Sequence, residues 1–197
     1  MGMKKRIIYS SLRFTLLFVG CSQKLSPKEY FSWVQSYKNG LHKKRIAGDF
    51  KFDVQYKPLA FLAIQQLGVD LSEQEYKELQ MKADGMYYFT LKLGTTSKGT
   101  DLIRYGSLQE QQQRIYYFSY TFQNDIYIEK NGTRKNCVLY HFERSYDLKG
   151  ERSFVLCFKK ESTEKKGEIK LVIDSPLLKV GIVKIKINPL NVPSLSL

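Results

Sequence analysis

Histidine is almost missing from this chain: His42 and His141 are the two it has among 197 residues, alongside three cysteines and one tryptophan. That scarcity excludes a histidine-rich metal site, and neither a cysteine-histidine ligand cluster nor a His-Glu-x-x-His helix occurs. A Gly-x-Ser-x-Gly elbow and a glycine-rich phosphate loop are missing too. The chain is therefore expected not to be an enzyme and to need no cofactor. His141 and Glu143 could share one face of a strand, with Arg144 on the other, but they read best as hydrogen-bonded side chains at a sheet edge. Long apolar runs are also lacking. Arg13 leaves only Phe14 to Gly20 uninterrupted, well short of the about 18 residues that a membrane-crossing helix needs.

What the first residues do contain is an export pattern. Lys4, Lys5 and Arg6 form a basic start, Phe14 to Gly20 an apolar run, and Cys21 follows a small residue, which is the layout of a secretory signal. Leu17-Phe18-Val19-Gly20-Cys21 resembles the bacterial lipobox, with Phe18 where leucine is usual. The resemblance implies that residues 1–20 are a signal peptide, that the Cys21 sulfur carries a diacylglyceryl group, and that the new N-terminus is acylated. Residues 21–25 are then the lipidated cysteine and a tether, and 26–197 a single domain. Its first partner is the lipid bilayer, held through N-terminal acyl chains worth about 0.8 kcal/mol per buried CH₂.

The formal net charge is +13; removing Lys4, Lys5, Arg6 and Arg13 leaves 13 − 4 = +9. An exported lipoprotein seldom meets nucleic acid, so no nucleic-acid partner is expected. Anionic headgroups or acidic glycans suit a basic surface in that place better, and a solvated surface without a partner suits it equally. His42-Lys43-Lys44-Arg45 is the densest basic cluster and reads as a connection before a strand, a solvated loop in the first reading and a contact to lipid headgroups in the second. Cys137 and Cys157 flank a turn near Asp147 in strand-like segments. An extracytoplasmic compartment permits a disulfide between them, and two buried free thiols acting as small apolar residues are the alternative.

Ser26-Pro27-Lys28-Glu29 starts a first helix, with Tyr30, Trp33, Val34 and Tyr37 at helical spacing and Asn39-Gly40 at its end; the periodic stripe places Trp33 in the core. Phe50, Phe52, Val54 and Tyr56 alternate with Lys51, Asp53, Gln55 and Lys57 in a half-buried strand. Pro58 opens a second helix stopping at Gly68, and Ser72-Glu73-Gln74-Glu75 caps a third that ends at Asp84-Gly85. Met86 to Leu93 is a strand, 94–100 a loop, and Ser107-Leu108-Gln109-Glu110 caps one short helical turn. Ile115 to Phe122 reads as a strand with Tyr116, Phe118, Tyr120 and Phe122 aligned. Asn131-Gly132 joins two alternating segments as a type I′ hairpin. Strands over 154–158, 169–173 and 183–187 follow. The class is α+β: a mainly antiparallel β-sandwich or partly open barrel of about eight strands, with three helices near the N-terminus.

Ser26 to Tyr30 with Trp33, Phe52 to Leu62 with its Tyr56-Lys57-Pro58 turn, and Tyr140-His141-Phe142-Glu143-Arg144 resemble segments of small uncharacterised lipoproteins of Bacteroidetes. The resemblance spans most of the processed chain and implies an address but no activity. Sorting rules of such lipoproteins place the anchor in the outer membrane, since Ser22 and not aspartate follows Cys21. They point the domain into the periplasm, since Ser22 to Ser26 holds no acid. The expected role is structural or accessory, in a complex with an envelope protein. A carrier whose aromatic-lined cavity, with Tyr116, Phe118 and Tyr120, holds a lipid or glycan is the second expectation. Cys21→Ser should abolish incorporation of labelled fatty acid and release the protein from membranes; retention with undiminished labelling would refute lipidation.

Overall fold

Three Ser-x-x-Glu segments set where helices begin. In each, the glutamate accepts from its serine's N–H and hydroxyl: Glu29 from Ser26 (3.0 and 2.6 Å), Glu75 from Ser72 (2.8 and 2.7 Å) and Glu110 from Ser107 (2.7 and 3.0 Å). These bonds hold all three carboxyls below the usual carboxylate range. They occupy backbone donors that a helix start leaves without partners. The helices that follow are α1 (Pro27–Gln35), α3 (Glu73–Ala83) and α4 (Leu108–Tyr116), while α2 (Leu59–Leu67) starts at Pro58 and stops at Gly68. The computed structural model describes residues 23–83, 85–97, 99–143, 150–161 and 163–197. The expected signal peptide, Cys21, Ser22, Asp84, Arg144 and the expected turn near Asp147 lie outside them.

Ten strands are described: β1 (Lys24–Leu25), β2 (His42–Ala47), β3 (Phe50–Lys57), β4 (Met86–Thr95), β5 (Ile126–Lys130), β6 (Thr133–Glu143), β7 (Arg152–Lys159), β8 (Ile169–Ile173), β9 (Val183–Ile187) and β10 (Ser194–Leu195). Eight make one sheet in the order β2-β3-β4-β7-β6-β5-β8-β9, every neighbouring pair antiparallel. The sheet curls until its edges nearly meet. Asn188 N–H donates to Gly40 O at 3.1 Å at one end of the seam, and at the other Gly48 lies so close to Val180 that a Cβ on it would sit 2.8 Å from Val180 Cγ1. The fold is thus α+β with a nearly closed, barrel-like antiparallel sheet.

Four expectations are corrected. Among the described residues four α-helices are found rather than three, and α4 lies in the middle of the chain. Residues 115–122 are not a strand: α4 runs on through helical turns over Tyr117–Thr121 and Phe122–Asp125. His42 to Ala47 is not a connection but a strand, paired with β3 from His42↔Gln55 to Ala47↔Phe50. Lys24 and Leu25, read as tether, pair in parallel with Ser194 and Leu195, so the described N-terminus and the C-terminus meet at one end of the barrel.

The barrel interior is filled by aromatic rings. Phe154 lies 5.6 Å from Phe118, 5.3 Å from Phe122, 5.9 Å from Tyr140 and 5.1 Å from Phe142, measured between ring centres. Phe52, Phe89, Phe118, Phe122, Phe154 and Phe158 are fully buried, each contributing about 1.5–3 kcal/mol over an exposed ring. Below them the inward face of β5 ends in a lysine. The buried Lys130 ammonium donates to Tyr87 Oη at 2.5 Å, and that hydroxyl donates to Glu164 at 3.0 Å. Burial pushes the lysine's pKa down and the phenol's up. The Lys130–Tyr87–Glu164 chain thereby draws the loop after β7 across the barrel end, where Lys160 N–H also reaches Gly85 O at 2.8 Å.

The β5–β6 hairpin turns at Asn131 and Gly132, whose φ angles are +50° and +79°. Both positive values are those of a type I′ turn, and the strands pair from Lys130↔Thr133 to Tyr127↔Asn136. Gly132→Val should lower stability by about 1–2 kcal/mol, because a Cβ is disfavoured in the left-handed region. An unshifted thermal midpoint would show that the turn tolerates a branched side chain.

Candidate interaction surfaces

On the outer face of β2 and β3, alternation sets His42 opposite Gln55 and Lys44 opposite Asp53. The turn Tyr37–Asn39 after α1 then folds over them. His42 Nε2 lies 2.5 Å from Asp53 Oδ1 and its Nδ1 2.8 Å from Gln35 O; Tyr37 Oη donates to Asp53 Oδ2 at 2.7 Å. The Tyr37 ring stacks on the imidazole at 3.8 Å, and Lys44 Nζ sits 3.6 Å from Asp53 Oδ2 and 4.6 Å from the Tyr37 ring centre. Burial would raise the Asp53 pKa, but the hydrogen bonds from His42 and Tyr37 and the charges of His42 and Lys44 outweigh it and hold it below the usual range. This cluster pins the end of α1 to the barrel wall. Its bonds fix the entry into β2.

The expected site residues fall apart in space. His141 and Glu143 are exposed on the second half of β6, which pairs with β7, whereas β5 pairs only with Thr133 to Asn136; among the described residues no strand pairs with this stretch on its other side, so the two lie at a local sheet edge. Trp33 packs, partly buried, against the core. Cys137 and Cys157 stand on the neighbouring strands β6 and β7, where Leu139 pairs with Cys157 across a bulge at Val138. Both thiols are free and buried. Cys137 is part of the main hydrophobic cluster, and Cys157, though also buried, lies outside it. Burial pushes the Cys137 thiol up to about 11 and raises Cys157 as well, which makes both poor nucleophiles. Among the described residues no three His, Cys, Asp or Glu side chains converge as a metal site, and no helix is long and apolar enough to cross a membrane.

The aromatic run Tyr116 to Phe122 is divided by its helical form. Phe118 and Phe122 point into the barrel, while Tyr116 and Tyr120, each about two-thirds exposed, pack against one another with ring centres 5.3 Å apart and planes tilted by 50°. Leu108 and Ile115 extend the same outer stripe. Glu110 and Arg114 are the two charges of α4, and both are occupied. Glu110 caps Ser107, and the buried Arg114 donates to the carbonyls of Ile103 and Tyr105 while its guanidinium lies 3.4 Å over the Tyr105 ring. The outward face of α4 is therefore apolar and amide-bearing, without free charge, in a strongly basic chain.

A depression lies at the opposite end of the barrel from α4. This groove of about 830 Å³ is bounded by Tyr30, Leu59, Tyr76, Met81, Pro193 and Leu195, beside the paired termini. No protein-family model, no curated protein and no solved structure matches this chain, so these surfaces are read from their own chemistry.

Ionised Asp53 has a pKa lower in the folded than in the unfolded chain. It therefore contributes stability that is complete above the unfolded value of about 4 and is lost as pH falls through its lower folded value. The thermal midpoint should drop through that acid window, and Asp53→Asn should be less stable at neutral pH with a flatter acid limb. Parallel pH curves for the two proteins would refute the role of this carboxylate.

Proposed function

We propose that this protein is a membrane-anchored envelope lipoprotein with a structural or accessory role in a protein complex. Acyl chains on Cys21 would hold it to the inner leaflet of the outer membrane with the domain in the periplasm, and it would dock on an envelope protein through α4. The resemblance to small lipoproteins of Bacteroidetes supports the address. The uncharged stripe of Leu108, Ile115, Tyr116 and Tyr120 supports the role: exposed aromatic anchors with their charged neighbours already engaged suit a protein interface. Tyrosine also contributes contact area at low conformational cost.

The alternative role of a lipid or glycan carrier finds less support. Its aromatic lining would need Tyr116, Phe118 and Tyr120 on one concave wall, and those residues lie on two sides of a helix with Phe118 inside a packed core. A carrier would have to use the groove beside the termini instead.

A photo-crosslinking residue placed at 116 or 120 in the native membrane should give the same discrete adduct with one envelope protein, and one at the exposed position 141 should not. Equal labelling from all three positions, or none from 116 and 120, would overturn docking through α4.

A further inference from the structure

The seam where the sheet nearly closes is built from two strands that contain no acid: β2 carries Lys43, Lys44 and Arg45, and β9 carries Lys184 and Lys186. The seam is fastened at its ends by the Asn188–Gly40 hydrogen bond and the Gly48–Val180 contact. Between those points, among the described residues, no backbone hydrogen bond joins β2 to β9. Lys43 and Arg45 occupy the inward pleat of β2, opposite Val54 and Phe52, which are fully buried. They nevertheless reach solvent, Arg45 extensively, and form no ion pair among the described residues. Lys184 and Lys186 flank them on the other edge, with Glu129 at 3.1 Å and Glu168 at 3.9 Å on the side away from β2. Two large apolar side chains, Ile46 at 64% and Ile182 at 56% exposure, stand in and beside these strands.

Inward charges on an edge strand guard against edge-to-edge pairing, and one would suffice for that. Five cations on facing edges, two of them without counter-ions among the described residues, together with the exposed isoleucines, Ile46 sharing the outer pleat of β2 with Lys44, form a surface complementary to a layer of anionic headgroups over an apolar boundary. We propose that the β2–β9 seam docks on anionic phospholipid, with Lys43 and Arg45 on lipid phosphates and Ile46 and Ile182 at the headgroup boundary. The contact is independent of lipidation at Cys21. It adds a second attachment that would orient the domain on its membrane.

The test uses the full chain carrying Cys21→Ser, made without export so that no acyl chain is attached, and vesicles of phosphatidylcholine with or without phosphatidylglycerol. Binding should require the anionic lipid and weaken with salt. Lys43→Gln with Arg45→Gln should weaken it about 25-fold, from about fivefold per cation, with an unchanged thermal midpoint. Lys184→Gln with Lys186→Gln offers a second variant on the other edge should the first pair disturb folding, and it too should weaken binding. Arg134→Gln with Lys159→Gln, on the strands farthest from the seam, should not. Equal binding by the seam variants and the parent, or equal binding to both vesicle types, would overturn the proposal. So would preference for double-stranded DNA over anionic vesicles at matched charge. Because the chain tested has no acyl anchor, its failure to bind leaves lipidation untouched, and a failure of lipidation leaves the seam untouched.

Discussion

An eight-stranded antiparallel sheet that curls toward closure must fill its own interior, and most of this structure follows from how that demand is met. Inward side chains of the strands supply part of the filling, among them Phe52, Phe89, Phe154 and Phe158. The remainder comes from outside the sheet: the helical segment after α4 lowers Phe118 and Phe122 onto Phe154, Phe142 and Tyr140. A ring cluster of this kind is close-packed and resists truncation, since removing one buried phenylalanine costs about 3–5 kcal/mol.

The same demand explains where the fold was legible in the sequence. Strands whose one face meets the rings alternate visibly, as in Phe50 to Tyr56 and Val183 to Ile187, and the Asn131-Gly132 turn declares its backbone geometry through residue type. Tyr116 to Phe122 misleads because aromatics at every second position satisfy a period of two and also two interleaved periods of four. As a helix, 118 and 122 share the inner side while 116 and 120 share the outer. The preceding Ser107–Glu110 capping box was the signal that favoured the helix. His42 to Arg45 conceals its strand for a different reason. An edge strand at an incompletely closed seam can carry charge on its inner pleat, so hydrophobic alternation, the main strand signal, is lost there.

Candidate surfaces were less legible than the fold. Asp53 looks like one more polar residue on a solvent face until His42 is known to pair beside it and Tyr37 to fold over both. Likewise Lys130 belongs to an alternating strand in which its inward position follows from Ile126 and Ile128, yet its partners Tyr87 and Glu164 lie far away in the chain. Local patterning tells which side of a strand a residue occupies; it does not tell what faces it from another element.

The topology also constrains how the proposed surfaces can work together. β2 leaves, and β9 reaches, the end of the barrel at which Gly40 meets Asn188, and the termini pair at that end through β1 and β10. β4 runs from there to the other end, where the chain continues into α4. The proposed anchor, which would precede Gln23, would therefore attach at one end of the barrel, while the stripe of Tyr116 and Tyr120 lies at the other. The seam runs along the side between them. A domain held by its anchor alone could swing about the tether and present α4 in any direction, at an entropic cost to every docking event. Contact along the seam would remove most of that freedom without covering α4, because the seam is on the barrel's flank and α4 closes its far end. The charge distribution thus separates two tasks: cations where a phosphate surface would be met, and an uncharged aromatic stripe where a protein would be.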